Sequence, residues 1–141
     1  MSKISDSDRE TFARLADFLI PAYEKKPSAS SVGVHLEMLD TVLRIRPDLT
    51  DGFQRAIDFC NGKDASEGLN ALRAADAVAF DALTLVATGG YMMTDEARAA
   101  IGYPGQEAPT YDVDETPEYI TNGMLERVAR RGPIYRETRN R

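Results

Sequence analysis

The stretch Ala87–Gly105, ATGGYMMTDEARAAIGYPG, decides how this chain reads. An apolar helix runs into it and is expected to stop at Gly89-Gly90. A short helix then begins at Thr94 and ends at Gly102, and Tyr103-Pro104-Gly105 puts an aromatic on a turn. Gly and Pro serve where the backbone must do something specific. The stretch offers turn chemistry and no reactive constellation, which points to a shaped surface presented to a partner.

Outward from this stretch, helical periodicity dominates. Ser7 and Glu10 have capping-box spacing, and Phe12, Leu15, Ala16 and Leu19 follow at helical intervals. Pro21 should end that helix, because the residue before a proline is pushed out of the helical region. Val32, Leu36, Leu39 and Leu43 predict a second helix, broken by Pro47. A third is predicted from about Asp48 to Cys60, with Leu49, Phe53, Ile57 and Cys60 on one face and Asn61-Gly62 as its stop. Leu69 and Leu72 begin a fourth element, which either joins or kinks into the run Asp76–Thr88. That run is apolar over much of its circumference and belongs at the centre of a bundle.

After Gly105 the character changes. Gln106–Glu118 is acidic and without a basic residue, and reads as an extended loop in which Pro109–Val113 could form a short strand. Thr116-Pro117 resembles an N-cap followed by proline at the first helical position. Ile120, Met124 and Val128 predict one last helix, ended by Gly132-Pro133. The expected fold is therefore all-α: a small helical bundle over 1–105, and an extended, largely irregular C-terminal third over 106–141 that wraps the bundle or a partner. An extended segment without a core of its own usually lies on something.

Composition narrows the function. A chain of 141 residues, 43% hydrophobic and 28% charged, can bury a core without disulfides or metals. The net charge of −6 argues against nucleic acid as main partner, whose footprint is usually basic, and against a polyanionic membrane surface. The single cysteine, Cys60, excludes an internal disulfide and reads as a small buried hydrophobe. The polar, acidic N-terminus lacks the features of a signal peptide, and no window approaches a membrane span. A cytoplasmic location is expected, or a periplasmic one if a partner with its own signal carries the chain there.

Candidate chemistry is sparse. His35, Glu37 and Asp40 are the only cluster that resembles a metal site, but helical neighbours stand three or four apart and neither spacing fits. The carboxylates of Asp112–Glu118 form a solvated acidic loop rather than a pocket that could shift a pKa. Gly89-Gly90 follows a helix and lacks the fingerprint of a phosphate loop, so it reads as a helix C-cap with close backbone packing. Met92-Met93 reads as core. No catalytic residue, cofactor site or metal site is assigned. The segment Arg127–Arg141 holds six arginines against one acid, Glu137. It reads either as a solvated terminus or as an anchoring arm, in which Pro133, Ile134 and Tyr135 grip and the arginines bind carboxylates.

Three pieces carry a family resemblance. Leu15-Ala16-Asp17-Phe18-Leu19-Ile20-Pro21-Ala22 looks like an "L-A-D-x-I-I-P" opening, Phe80–Leu83 runs as Phe-x-x-Leu into Gly90-Tyr91, and Ile101–Gly105 looks like an "x-G-Y-P-G" turn. In this order the chain resembles the gluconate 2-dehydrogenase subunit 3 family, the small subunits of flavin-dependent sugar and sugar-acid dehydrogenases. The resemblance implies a helical subunit with no cofactor of its own. It would dock on a large flavoprotein subunit of the glucose–methanol–choline type, which binds FAD and oxidises a sugar hydroxyl. Many such small subunits carry a twin-arginine signal, and this chain departs from that pattern. Tyr91, Tyr103, Pro104, Gly105, Tyr111, Tyr119, Tyr135 and Arg136 are the residues expected at the interface, since Tyr and Arg are enriched in binding hot spots. Two alternatives stand beside it: a free-standing all-α binding or chaperone-like module with a transient partner, and an all-α enzyme using the His35 region or the acidic loop.

Overall fold

The first helix starts two residues earlier than its spacing predicts. In α1 (Asp6–Leu19) the cap is Ser5, which lies in extended backbone and accepts from the Asp8 N–H, while Asp8 accepts from the Ser5 N–H. Ser5 and Asp8 therefore form the capping box, not Ser7 and Glu10. The helix ends at Leu19, and pre-proline Ile20 leaves the helical region at φ −131° and ψ 75°.

The computed structural model describes residues 4–106 and 117–134. Among these residues there are eight α-helices and no β-strand, so the chain is all-α. It divides into two compact units, Met1–Gln106 and Glu107–Arg141. The possible strand at Pro109–Val113 and the Thr116 cap lie outside the described residues.

Between Val32 and Leu39 the expected continuous helix does not form. Gly33 sits in the left-handed region at φ 73°, the chain makes one wide turn over Val34–Met38, and Leu36 is non-helical. The wide turn brings Val34, not Val32 or Leu36, into the core: Val34 is 1% exposed and Leu36 53%. Arg9 holds this turn. Its guanidinium donates to the His35 and Leu36 carbonyls at 3.1 and 3.0 Å, and to both Asp40 oxygens at 2.7 and 2.9 Å. Carbonyls freed by an irregular turn must find donors, and a guanidinium's planar fork supplies several at once.

Regular helix resumes as α2 (Leu39–Ile45). Pro47 ends it and opens a single 3₁₀ turn, Pro47–Leu49, that leads into α3 (Thr50–Cys60). Gly62 turns the chain at φ 72°. Asp64 caps α4 (Ala65–Ala75) by accepting from the Ser66 and Glu67 N–H groups. At Asp76 the backbone leaves the helical region, so α4 and α5 (Ala77–Met93) are separate helices, and the Asp76 carboxylate caps α5 through the Ala79 N–H.

Helix α5 runs straight through Gly89-Gly90, contrary to the expected stop. Gly90 is needed for close approach: a Cβ there would lie 3.0 Å from a Val34 methyl. At the other end of α5, a Cβ on Gly52 of α3 would lie 2.8 Å from that of Ala82. These contacts let α5 sit at the centre of the first unit, against α1, the wide turn, α2, α3, α4 and α6 (Asp95–Ala100). Phe12 and Phe53 meet edge to face in this core, with ring centroids 5.1 Å apart. Each fully buried side chain of this size contributes about 1.5–3 kcal/mol of burial free energy.

Thr94 caps α6 by accepting from the Ala97 N–H at 3.3 Å. The helix closes with two backbone bonds, Gly102 N–H to Ala99 O at 3.1 Å and Tyr103 N–H to Arg98 O at 2.9 Å, with Gly102 at φ 70°. This is a Schellman stop, which glycine in the left-handed region permits. In the second unit the predicted last helix is two helices, α7 (Glu118–Thr121) and α8 (Met124–Arg131), separated where Gly123 takes φ 78°.

Candidate docking surface

The residues that sequence reasoning singled out fall in different places. Tyr91 is buried at 5% exposure, and its hydroxyl donates to the Pro27 carbonyl at 2.7 Å. It packs within its own bundle and leaves no ring face for a partner. Tyr103 and Pro104 are exposed, Tyr103 at 53%, and Gly105 takes φ 93°. Tyr119 is exposed in the second unit. Tyr111, Tyr135 and Arg136 lie outside the described residues. The structure thus groups Tyr103, Pro104 and Gly105 on one turn after α6, with Ile101 exposed beside them in sequence.

The motif residues hold the fold. Asp17, in the Leu15–Ala22 motif, accepts from the Ser30 N–H at 2.7 Å and from the Ser30 hydroxyl at 2.5 Å. Together with Tyr91 it ties down the loop that follows α1. The Gly-Tyr-Pro-Gly turn ends α6. Sequence reasoning missed the Asp17 contact because only tertiary structure brings Ser30 to it.

A second surface lies where the sequence predicts core. Met92 and Met93 are 52% and 41% exposed, correcting their expected burial. With Val78 and Leu85 they form an exposed stripe on α5, at spacings that recur once every two turns. The signal was present in the sequence as Val78, Leu85 and Met92, seven apart. The long apolar character of α5 concealed which face was free.

Beside this stripe lies an open groove of about 270 Å³, walled by Ile45 and Leu49 on one side and Leu85 and Met93 on the other. Gly89 forms its floor, with no side chain to fill it and Val42 beneath at 3.9 Å from a virtual Cβ. Two further hollows share its walls: one of about 320 Å³ through Leu49 and Leu85, lined by Asp48, Asp51 and Asp81. The other, about 360 Å³, shares Met93 and is lined by Glu37, Asp95 and Glu96. Six carboxylates against two arginines, Arg46 and Arg55, rim the whole. Arg46 is bonded to Asp48 at 2.6 Å and holds that carboxyl below its ordinary value.

Both Asp40 oxygens are held by Arg9, which takes Asp40 away from His35 and Glu37. Among the described residues, no group of three or more His, Cys, Asp or Glu could hold a metal ion. Among the described residues, no helix is long and apolar enough to cross a membrane. Compared with protein-family models, with curated proteins and with solved structures, the chain finds no match in any of the three.

Proposed function

We propose that this chain is a non-catalytic small subunit that docks on and stabilises a large FAD-dependent dehydrogenase of the glucose–methanol–choline type, which oxidises a sugar or sugar-acid hydroxyl. The observation that supports docking is the exposed aromatic turn: Tyr103, 53% exposed, is held in place by two backbone bonds at the end of α6 rather than folded into the core. A large amphipathic ring on a preorganised turn suits a hot spot, because little freedom is lost when it binds. The dehydrogenase class rests on the order of the three motifs and on the resemblance they carry. On this reading FAD sits in the partner, and the Asp17 and Tyr91 contacts keep the docking module rigid.

The test is co-expression with the product of the neighbouring gene, which this reading expects to be a large flavoprotein. The large chain alone should be insoluble, flavin-poor or weakly active, and should recover when this chain is present. Tyr103→Ala should weaken assembly without unfolding the small subunit. Full flavin loading and normal activity of the large chain on its own would remove the proposal. A complex that dissociates on size exclusion would favour a chaperone-like module with a transient partner.

A further inference from the structure

The loop after α1 carries a tight hairpin. Tyr23 and Lys26 form an isolated antiparallel bridge. The Tyr23 N–H donates to the Lys26 carbonyl at 3.0 Å, and the Lys26 N–H to the Tyr23 carbonyl at 2.9 Å. Only Glu24 and Lys25 lie between them. The common two-residue hairpin turns need positive φ at their first position, and Glu24 takes φ 53°. Among the described residues it is the only one besides glycines with positive φ. Glycine would hold this place without steric cost. A residue in such a conformation persists where its surroundings over-determine it. Here the base of the hairpin is fixed three times over. Fully buried Ala29 donates to the Ile20 carbonyl at 3.1 Å, Tyr91 bonds the Pro27 carbonyl, and Asp17 holds Ser30.

The tip, by contrast, is offered to solvent. Tyr23 is 65% exposed, and Lys25 and Lys26 are exposed. Four arginines of the first unit are paired with aspartates, and Arg14 and Lys63 donate to backbone carbonyls; Lys25 and Lys26 have no such partner among the described residues. A rigid base thus presents one aromatic ring and two adjacent, unpaired ammonium groups.

We infer that the Tyr23–Lys26 hairpin is a second docking contact, which fits a carboxylate-lined pocket on a protein partner. The inference rests on the reading of this chain as a docking subunit, and the partner is the same large chain. The chemistry of the tip selects the pocket. Two ammonium groups against one carboxylate, Glu24, call for an acidic counter-surface. A nucleic acid or an anionic membrane would also face the rest of a chain of net charge −6 and be repelled by it. A pocket on a protein meets the tip alone. The Tyr23 ring supplies contact area at the cost of two side-chain torsions, and a preformed turn loses little freedom on binding. Lysines at a wet rim steer association and make it sensitive to salt.

The experiment co-expresses the tagged large chain with wild-type and variant small chains together. Mass spectrometry reads the ratio of the two small chains recovered with it. Tyr23→Ala, and Lys25→Glu with Lys26→Glu, should each be recovered at about a tenth of the wild type or less, the loss expected of a hot spot. Glu24→Pro keeps the ring and both lysines, but with φ fixed at about −65° it cannot make the turn. It should be lost with them. Arg44→Glu reverses an exposed charge on α2 and should be recovered at parity. Every substituted position is exposed, so the variants should keep their helical circular dichroism. The wild-type complex should weaken as salt rises, and the lysine variant's should not. A large chain that captures no wild-type small chain overturns the docking reading and this inference with it. Capture of the wild type and of all the hairpin variants alike overturns the hairpin contact alone. So does a loss for Arg44→Glu as deep as for the lysine variant.

Discussion

The Tyr91 phenol donates a 2.7 Å hydrogen bond to the Pro27 carbonyl, across sixty-four residues of chain. The bond pins the loop after α1 to the C-terminal end of α5, and Asp17 pins the same loop from the other side through Ser30. The loop between Pro21 and Gly33 has little regular structure. These two side chains therefore supply fixed partners for its backbone.

Tyr91→Phe should lower stability by about 1 kcal/mol, the usual net worth of a hydrogen bond whose acceptor is left without its partner. Tyr91→Ala should cost about 3–5 kcal/mol, since a large ring also leaves a cavity. Urea denaturation monitored by circular dichroism measures both. A phenylalanine variant with the wild-type midpoint would show that the bond contributes nothing.

Two glycines should respond to alanine with opposite signs. Gly89 lies inside α5, and its virtual Cβ meets only Val42 methyls at 3.9 Å, an ordinary contact. Gly89→Ala should stabilise by up to about 1 kcal/mol, because glycine in a helix interior carries that penalty. Gly52 would put its Cβ 2.8 Å from that of Ala82 on a neighbouring helix. Gly52→Ala should destabilise by about 1–3 kcal/mol through overpacking. Thermal melts that rank the two variants the other way round would contradict the packing of α3 on α5.

Acid should weaken the fold through Asp76. Its carboxyl is held below the ordinary value first by the hydrogen bond from Arg55, at 2.9 Å, and then by the Ala79 N–H. Arg55 is shifted upward by the same pair. A carboxylate depressed in the folded state contributes stability above its unfolded value, and that contribution is lost as pH falls through the folded value. Asp76→Asn keeps the cap but not the charge. The stability gap between wild type and this variant should be full at neutral pH and shrink below the ordinary carboxylate range. A gap that stays constant down to strongly acid pH would assign the effect to capping alone.

The Cys60 thiol should be inert in the native protein. It is buried, and burial pushes its pKa up, opposed only in part by the Lys63 charge. The thiolate is the reactive form. Gly68 of α4 packs over it, with a virtual Cβ 3.3 Å from the sulfur. A thiol-modifying chromophore should react only across the denaturant transition. Rapid modification in buffer would show that α4 opens locally.

Much of the helical layout was legible in local chemistry. Pro21, Pro47, Gly62 and Gly102 end or redirect elements where expected, because proline's missing donor and glycine's freedom act within a few residues. Leu49, Phe53, Ile57 and Cys60 are all buried, since α3 has a strongly one-sided apolar pattern. The Val32–Leu43 segment was less legible. Its apolar spacing fits a continuous helix, and only the Arg9 clamp, from a distant segment, makes the wide turn satisfiable.

The sequence by itself determined that this protein is built of helices, because hydrophobic period and turn residues are local properties. Tertiary structure alone decided what Gly89-Gly90 does and which faces of α5 are free. The helix penalty of two glycines is about 2 kcal/mol in all, too small to end a helix that packs against Val34 and Val42 on that side. A helix apolar over most of its circumference has no periodicity strong enough to choose its buried face. Its neighbours chose: Tyr91 turned inward to Pro27, and Met92 and Met93 turned outward, Met93 to the groove.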